Sequence, residues 1–336
     1  MFKRIASLVL VVTILNTLPF IFLAALRGDV NGDDKVDIQD ILALRDYIFN
    51  GNAPPEADVN GDGKVDIQDI LAVRDIIFGI SINEDGALII TVLDVGQGDS
   101  IFIVLPSRET LLIDAGESRY ADGIIKHIKD AGFTTLNYVV ATHPHADHIG
   151  GMAKVVEAFD VKNIYMPNVS HTTVSFEKLL DAIDAKDLTI KTAKARNVLL
   201  SNDYIQIEFI APISDEYKNL NNYSAVLLIT FNNKRFLLMG DAEVESEAEI
   251  LQNYSDIKAD WIKIGHHGSV TATSDDFINA VNPSFAAICV GKGNNYKHPS
   301  ELILERLANL NCGVWRTDEN GAVTFQSDGY TITVVK

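Results

Sequence analysis

The chain has few cysteines, few basic residues and few long apolar runs. Its 336 residues include only two cysteines, Cys289 and Cys312. Neither has the spacing of a metal ligand, which argues against a cysteine-bound metal site. The sequence leaves open whether the two are buried free thiols or form a disulfide. Basic residues number 28 against 46 acidic ones, a formal net charge of −18, which opposes non-specific polyanion binding at long range.

One apolar run of membrane-spanning length is present, at the N-terminus. Lys3 and Arg4 precede residues 5–26, which carry no charge. This arrangement is typical of a secretory signal, although a run of about 22 residues is also long enough to span a bilayer as an uncleaved anchor. We expect residues 1–26 to be a signal peptide or N-terminal anchor and the rest to be secreted. No later segment is long and apolar enough to cross a membrane.

A dense group of histidines follows one predicted strand. His143, His145, Asp147 and His148 fall within six residues, directly after the apolar run Leu136–Ala141. Imidazole and carboxylate groups are ligands of zinc and related divalent metals. The pattern therefore predicts a metal site rather than a polar surface loop. Two other histidines match no motif and are interpreted as ordinary: His127 and His171.

A twelve-residue acidic segment occurs twice, at an offset of 29 residues, as Asp29–Asp40 and Asp58–Asp69. Oxygen side chains stand at positions 1, 3, 5, 9 and 12 of each loop, which is EF-hand spacing, and position 7 adds a backbone carbonyl. Position 12 is Asp rather than Glu, and position 6 is Gly63 in the second loop but Asp34 in the first. The spacing predicts two calcium ions, held by Asp29, Asn31, Asp33, Lys35, Asp37 and Asp40 and by Asp58, Asn60, Asp62, Lys64, Asp66 and Asp69.

Each acidic loop runs into apolar residues at helical spacing, which an acidic linker would not show. Neither loop is preceded by the helix of a full EF-hand. Residues 28–80, with two complete loop–helix copies, resemble a type I dockerin, a family that docks extracellular bacterial enzymes onto cohesin domains of a scaffold protein. The resemblance implies a small all-α calcium-binding domain and a cohesin partner, contacted through Ile38, Gln39, Ile67 and Gln68. Residues 81–86 are interpreted as a linker.

Residues 87–336 alternate predicted strands and helices, which implies a layered α/β domain. Polar motifs follow its strands repeatedly, at Asp114, His143–His148, Asp241 and His266–His267. This series resembles the metallo-β-lactamase fold, an αββα sandwich with a metal site at one edge. Finer motifs resemble the hydrolase domain of ComEC-type competence proteins: Asp94–Ser100, Asn221–Ser224, Gly240–Glu243, His266–Ser269 and Asn295–Pro299. Those proteins also have membrane channel segments, which this sequence lacks, so DNA import does not carry over.

The resemblance also implies a set of ligands for one or two ions of zinc or manganese. These are His143 and His145 for one ion, Asp147 and His148 for a second, Asp241 as a bridge, and His266 in preference to His267 as the terminal ligand. Many family members have a further histidine shortly before the bridging Asp, where this sequence has Asn222-Tyr223-Ser224. The residues expected to line the site or orient its ligands are Asp99, Asp114, Asn222 and Ser224.

The leading hypothesis is hydrolysis of a phosphodiester, because a bound divalent metal makes hydroxide available near neutral pH. Asp147 or Asp241 would orient the nucleophile or take its proton, and His298 or Lys297 would assist at the phosphoryl oxygens or the leaving group. The ComEC-like motifs point to nucleic acid as the substrate. Two alternatives stay open, a lactonase or other carboxylic ester hydrolase on the same fold, and a non-catalytic scaffold-bound binding module.

Docking onto a cohesin is expected to require calcium, because the ion supplies free energy that folds its loops. Binding of the full chain to an immobilised cohesin should be lost in a calcium chelator and should return when calcium is added back. Docking that survives the chelator would contradict the calcium assignment.

Overall fold

The computed structural model describes residues 26–59, 63–77 and 86–335. All of the predicted signal except Leu26 lies outside the described residues. The same is true of Asn60, of Asp62, of residues 81–85 of the predicted linker and of the side chain of Gln68. Within those ranges, no helix combines the length and apolar character needed to cross a membrane. The chain divides into two compact units, Met1–Ser81 and Ile82–Lys336.

Two helices, α1 (Ile38–Asn50) and α2 (Ile67–Ile77), form the first unit with a short 3₁₀ turn at Pro55–Ala57. A capping box starts α1, since the Asp37 carboxylate accepts from the backbone N–H of Gln39 and the Asp40 carboxylate accepts from that of Asp37. The helix ends at Gly51, whose φ of 72° is left-handed. The small core contains Val30, Leu44, Ala57, Val59, Ala72 and Val73.

The carboxylates at position 12 tie each acidic loop to the helix that follows it. Asp40 is fully buried and accepts from the backbone N–H groups of Val30 at 2.8 Å and Asn31 at 3.1 Å. Asp69 accepts in the same way from Val59 at 2.8 Å. The position 6 residue of each loop adopts the left-handed backbone that the turn requires, with φ of 64° at Asp34 and 83° at Gly63.

The residues expected to contact cohesin that the structure describes are exposed on the surface of this unit. Ile38 is 57% exposed and Ile67 is 60% exposed, at the first turn of each helix. Gln39 is also exposed. Apolar side chains with this exposure are available to a partner.

Seventeen strands are found in the described part of the second unit. They are β1 (Leu88–Val92), β2 (Ile101–Val104), β3 (Thr110–Ile113), β4 (Thr135–Leu136), β5 (Tyr138–Val140), β6 (Asp160–Val161), β7 (Ile164–Met166), β8 (Ile190–Thr192), β9 (Val198–Ser201), β10 (Ile205–Ala211), β11 (Val226–Phe231), β12 (Lys234–Leu238), β13 (Trp261–Lys263), β14 (Phe285–Ile288), β15 (Gly313–Arg316), β16 (Val323–Ser327) and β17 (Ile332–Val335). One sheet has the order β17-β16-β1-β2-β3-β5-β7-β8, the other has the order β15-β14-β13-β12-β11-β10-β9, and β4 pairs with β6.

Helices cover the outer face of each large sheet. They are α3 (Ala121–Asp130), α4 (Ala146–Ile149), α5 (Met152–Ala158), α6 (Val174–Asp184), α7 (Val244–Asn253), α8 (Asp275–Val281), α9 (Glu301–Asn309) and α10 (Thr317–Asn320). Buried residues of α3, α5 and α6 share a core with the first sheet, and those of α7, α8 and α9 share one with the second. The predicted αββα sandwich is confirmed.

A third core lies between the sheets and fixes their packing. Strand alternation sends Leu88, Ile90 and Val92 of β1 into it. Aromatic pairs cross from sheet to sheet, with ring centroids 5.4 Å apart for Trp261 and Phe325, a separation at which aromatic rings attract one another. The two cysteines are buried free thiols, which decides between the alternatives left open by the sequence.

Replacing Phe325 by alanine tests this inter-sheet core. Phe325 is 1% exposed, so Phe325→Ala should lower the free energy of unfolding by about 3–5 kcal/mol through lost burial and a cavity beside Trp261. Urea unfolding at fixed metal and calcium concentration measures it. The matched control is Tyr330→Ala, because Tyr330 follows the same strand but is 61% exposed; equal stability of the two variants would contradict the packing.

Candidate metal centre

The polar motifs meet because the strands that precede them run parallel. Strands β3 and β5 are parallel neighbours in the first sheet, and β12 and β13 are parallel neighbours in the second. Their carboxyl ends therefore lie together in pairs, and the two pairs meet across the sandwich. The closest contact between a ligand atom from each sheet joins His148 Nε2 and Asp241 Oδ2, 3.2 Å apart.

Asp114 sets the orientation of His148. The Asp114 carboxylate is fully buried and accepts from the backbone N–H of Thr142 at 2.8 Å and from its hydroxyl at 2.6 Å. The same carboxylate lies 2.7 Å from Nδ1 of His148. Because a carboxylate only accepts, Nδ1 carries a proton, and Nε2 is the ring nitrogen that can bind a metal once it has lost its own proton.

A backbone carbonyl sets the orientation of the His267 ring. Nδ1 of His267 donates to the carbonyl oxygen of Cys289 at 2.9 Å, which leaves Nε2 free. That nitrogen lies 3.4 Å from Asp241 Oδ2 and 3.5 Å from Asp147 Oδ2. Among the described residues, His148 Nε2, His267 Nε2 and Asp241 Oδ1 are buried and have no hydrogen-bond partner.

The ring nitrogens of His148 and His267 and the carboxylate of Asp241 fit a divalent metal, and Asp147 adds a partly exposed carboxylate whose Oδ2 lies 3.9 Å from His148 Nε2 and 3.5 Å from His267 Nε2. Ligand atoms about 2.0–2.1 Å from a tetrahedral ion lie roughly 3.3 Å from one another. The separations from Asp241 Oδ2 to the two free nitrogens are 3.2 and 3.4 Å, close to that value. Unpaired, buried nitrogen and oxygen atoms at this spacing are the donor set that zinc and manganese accept.

A second set of donors is incomplete. His143 Nε2 lies 2.9 Å from His145 Nδ1 and 3.9 Å from Asp241 Oδ2. In the segment Asn222–Ser224, where the resemblance leads one to expect a further histidine, the buried Ser224 hydroxyl accepts from the backbone N–H of Asp241 at 3.0 Å. The second set therefore consists of His143, His145 and Asp241.

The pKa values show strong coupling inside the cluster. Burial alone would lower the pKa of His148, but the carboxylates of Asp241, Asp114 and Asp147 raise it well above its usual value. The pKa of His267 is also raised against burial, chiefly by Asp241. Burial would raise the pKa of Asp241, yet the two imidazoles hold it well below its usual range. A metal ion must displace the imidazole protons, so its binding should strengthen as pH rises.

Lys263, at the end of β13, is a fully buried lysine that was not among the predicted site residues. Its ammonium group pairs with Asp99, donates to the carbonyl of Gly240 at 2.8 Å and lies 3.8 Å from Asp241 Oδ1. The signal was a single lysine inside the apolar run Trp261–Ile264. Burial would raise the pKa of Asp99, but Lys263 lowers it to about 2.

Asp99 lies against the protonated edges of the two imidazoles rather than among the free nitrogens. Its Oδ1 is 3.3 Å from His267 Nδ1, and its Oδ2 is 4.0 Å from His148 Nδ1. Asp99 also offers an oxygen within 4.8 Å of ligand atoms of His148, Asp241 and His267. Because its carboxylate pairs with Lys263 and faces the Nδ1 edges, it is positioned to orient the ligands, whereas Asp147 lies on the Nε2 side. The glycine before Asp99 permits the approach, since a Cβ at Gly98 would lie 2.2 Å from the carbonyl oxygen of Asp147.

The geometry reverses the expected order of the two adjacent histidines. His267 is buried in the cluster, whereas the His266 side chain is 24% exposed and its Nδ1 lies 3.0 Å from both Thr271 Oγ1 and Glu243 Oε1. His266 Nε2 is 3.8 Å from Asp241 Oδ2. Both residues have left-handed backbone, with φ of 46° and 54°, and this turn points the second ring inward.

The remaining predicted residues lie around the cluster. Asn222 does not enter it, since its amide donates to Glu245 at 2.9 Å and its oxygen accepts from the backbone of Glu243 at 3.0 Å. Lys297 is exposed, and the ring of His298 lies 5.7 Å from that of His266. His171, interpreted as ordinary from the sequence, has its ring 6.2 Å from that of His145.

An αββα sandwich that brings histidines and carboxylates together between its two sheets defines a class of metal-dependent hydrolases. Residues 93–292 match the metallo-beta-lactamase superfamily, and the chain belongs to that superfamily. Residues 27–78 match the dockerin type I domain. The fold implies a divalent metal and the dockerin implies calcium.

Competence proteins are among the relatives of the chain, which confirms the ComEC-like resemblance. ComE operon protein 3 of Bacillus subtilis is 31% identical over 254 residues, covering 70% of this chain and 33% of that protein. Competence protein ComA of Neisseria gonorrhoeae is 30% identical over 240 residues, covering 70% and 32%. A shorter match to Ribonuclease J of Synechocystis sp. is 28% identical over 135 residues, covering 37% and 21%. The chain thus spans about a third of the length of the competence proteins.

Removing the charge of Lys263 tests its role in the cluster. Lys263→Met should lower the free energy of unfolding by about 3–5 kcal/mol, because it leaves the buried carboxylate of Asp99 without its partner. Adding Asp99→Asn to that variant should recover much of the loss. Urea unfolding measures both, with the exposed Lys178→Met as the control. If Lys263→Met is as stable as Lys178→Met, the pairing has no role in stability.

Proposed function

We propose that this protein is an exported, metal-dependent phosphodiesterase that acts on nucleic acid-like substrates and is carried on a cohesin scaffold. The observation that carries the proposal is the group of buried atoms in His148, His267 and Asp241 that lack hydrogen-bond partners among the described residues, beside the partly exposed carboxylate of Asp147. Such polar atoms are costly to bury unless an ion satisfies them.

The metal ion, zinc or manganese, would be held by that set, with His143 and His145 offering a weaker second position beside Asp241. When bound, it would lower the pKa of a water molecule and neutralise charge on phosphoryl oxygens. The side chain of Asp147 is 33% exposed, more than the other three, so its carboxylate can both reach the ion and orient or accept a proton from an attacking water.

His298 is placed to assist the leaving group. Burial lowers its pKa, and the neighbouring His266 lowers it further. Its Nδ1 is buried and has no hydrogen-bond partner among the described residues. The neutral imidazole that a lowered pKa favours can donate a hydrogen bond to a leaving oxygen.

Two observations support a phosphodiester substrate. The relatives include a protein named as a ribonuclease and others named as competence proteins. Lys292 and Lys297 are exposed near His298 and would attract a phosphate. Residues 86–336 contain 32 acidic and 21 basic residues, a formal net charge of −11. Binding of a polyanion would therefore be local and sensitive to salt.

The dockerin match supports attachment of the enzyme to a scaffold outside the cell. Type I dockerins bind cohesins, and the exposed Ile38 and Ile67 stand at matching positions of the two repeats. The uncharged run at residues 5–26 supports export. The scaffold would hold the hydrolase near its substrate.

Substitution of the donor set tests the activity. Asp147→Ala should reduce metal-dependent cleavage of DNA or another phosphodiester by roughly 10²–10⁴-fold, because it removes both a ligand and the residue nearest the attacking water. His145→Ala should also reduce it. Metal analysis should show less bound zinc or manganese in Asp147→Ala.

The assay is a panel of DNA, RNA, cyclic dinucleotides, lactones and β-lactams, run with zinc and with manganese. The matched control is His127→Ala, because that ring packs against Phe102 at 6.1 Å and makes no contact with the cluster. Unchanged phosphodiester cleavage in both Asp147→Ala and His145→Ala would reject the assignment. Turnover of lactones alone would replace it with an ester hydrolase.

A further inference from the structure

Residues 291–299, here called the tyrosine loop, are held in one conformation by a single side chain. The Asn294 side-chain oxygen accepts from the backbone N–H groups of Tyr296 and His298, both at 3.0 Å. Its amide donates to the carbonyls of Gly291 at 3.0 Å and His298 at 2.6 Å. All four hydrogen bonds lie within the loop, so its shape is set before any ligand arrives.

The tyrosine loop is fixed against two loops of the metal centre. The backbone N–H of Gly291 donates to the side chain of Gln97 at 3.2 Å. At the other end, a Cβ at Gly268 would lie 2.6 Å from Pro299 Cβ, and Ser300 donates to the Gly268 carbonyl at 2.9 Å. The loop therefore keeps a constant position beside the His266–His267 turn.

An exposed aromatic ring sits on this rigid support. Tyr296 is 69% exposed, yet its ring stacks on His298 with a centroid distance of 5.7 Å and an interplanar angle of 26°. His298 in turn meets His266 edge to face, with centroids also 5.7 Å apart. The three rings therefore form a continuous row from the solvent-exposed Tyr296 to His266, which lies beside the metal centre. A tyrosine supported on one face and largely in solvent leaves its other face open to a planar ligand.

Positive charge accompanies the ring in an otherwise acidic unit. Lys292 and Lys297 belong to the same loop and are exposed. Neither forms an ion pair within the described ranges of the chain. A neutral sugar ring could pack against the tyrosine face, but it would carry no negative charge to pair with the two lysine ammonium groups. A nucleotide uses both features, since its base stacks and its phosphate is attracted.

We propose that Tyr296, supported by His298, is the stacking platform for a nucleobase next to the scissile phosphodiester, and that Lys292 and Lys297 attract the phosphates that flank it. This proposal rests on the proposed function, because it names the group that the same site recognises. Stacking on an aromatic ring tolerates every base. The platform would therefore select for the presence of a base and not for sequence.

Direct binding tests the platform without relying on turnover. The probe is a fluorescein-labelled phosphorothioate oligothymidylate, with an abasic strand of the same length as its comparison, and anisotropy is read on the full metal-loaded protein. Tyr296→Ala should weaken binding of the base-bearing strand by roughly 5- to 100-fold and should leave binding of the abasic strand unchanged. Tyr296→Phe should retain binding, because the ring remains.

The matched control is Tyr330→Ala, which removes another exposed tyrosine, 61% accessible, from a turn outside the tyrosine loop. It should not alter either affinity. Equal affinities of wild type and Tyr296→Ala for the base-bearing strand would overturn the platform, as would equal weakening for both strands or a wild type that binds neither.

Cleavage by the same variants separates this proposal from the proposed function. If the wild type cleaves the unmodified strand and Tyr296→Ala binds and cleaves it equally well, the proposed activity stands and the stacking role of Tyr296 is rejected. If the wild type cleaves no phosphodiester but its binding of the base-bearing strand depends on Tyr296, the stacking role stands and the proposed activity is rejected. When both hold, Tyr296→Ala should raise KM for the base-bearing strand more than it lowers kcat.

Discussion

The buried carboxylate of Asp241 is the group on which the rest of the site depends. It is 2% exposed and faces the free nitrogens of His148 and His267, with Lys263 beside its other oxygen. A carboxylate in such a position is stable only if opposite charge and hydrogen-bond donors surround it. Its partners come from both sheets, so the sandwich must bring loops from separate strands to one point. The left-handed backbone of Gly240, with φ of 53°, lets the chain turn at the end of β12 without a clash.

The groups behind the ligands decide which atoms the site presents. Asp114 binds Nδ1 of His148, and the carbonyl of Cys289 binds Nδ1 of His267, so both imidazoles offer Nε2 to the same space. Ser224, in the segment without the expected histidine, accepts from the backbone of Asp241 and so supports that carboxylate. His143, in contact with His145, lies farther from the same carboxylate than His148 does.

Local sequence patterns predict much of the fold, but they do not predict strands whose pairing partners are far away in the chain. The predicted helices and most strands agree with the structure within a few residues, because apolar periodicity records which face of an element is buried. Seven strands were missed: β4, β6, β8, β9, β15, β16 and β17. Strand β16 pairs with β1 from the opposite end of this unit, and no short window of sequence contains that partner. Lys263 was missed for a related reason, since its partner Asp99 arrives from a distant loop.

The sequence by itself indicated the chemistry available to this protein: two acidic loops with calcium-binding spacing, a strand-end cluster of histidines and carboxylates, and the segment Asn222–Ser224 without the histidine that the resemblance leads one to expect. Each of these is a spacing within a few residues, which chain geometry converts directly into a local structure. Only the tertiary structure decided that His267 and not His266 enters the cluster, that Lys263 compensates Asp99, and that Tyr296 stacks on His298. Those outcomes depend on backbone turns and on contacts between loops far apart in the chain, and the packing of two sheets against each other sets them.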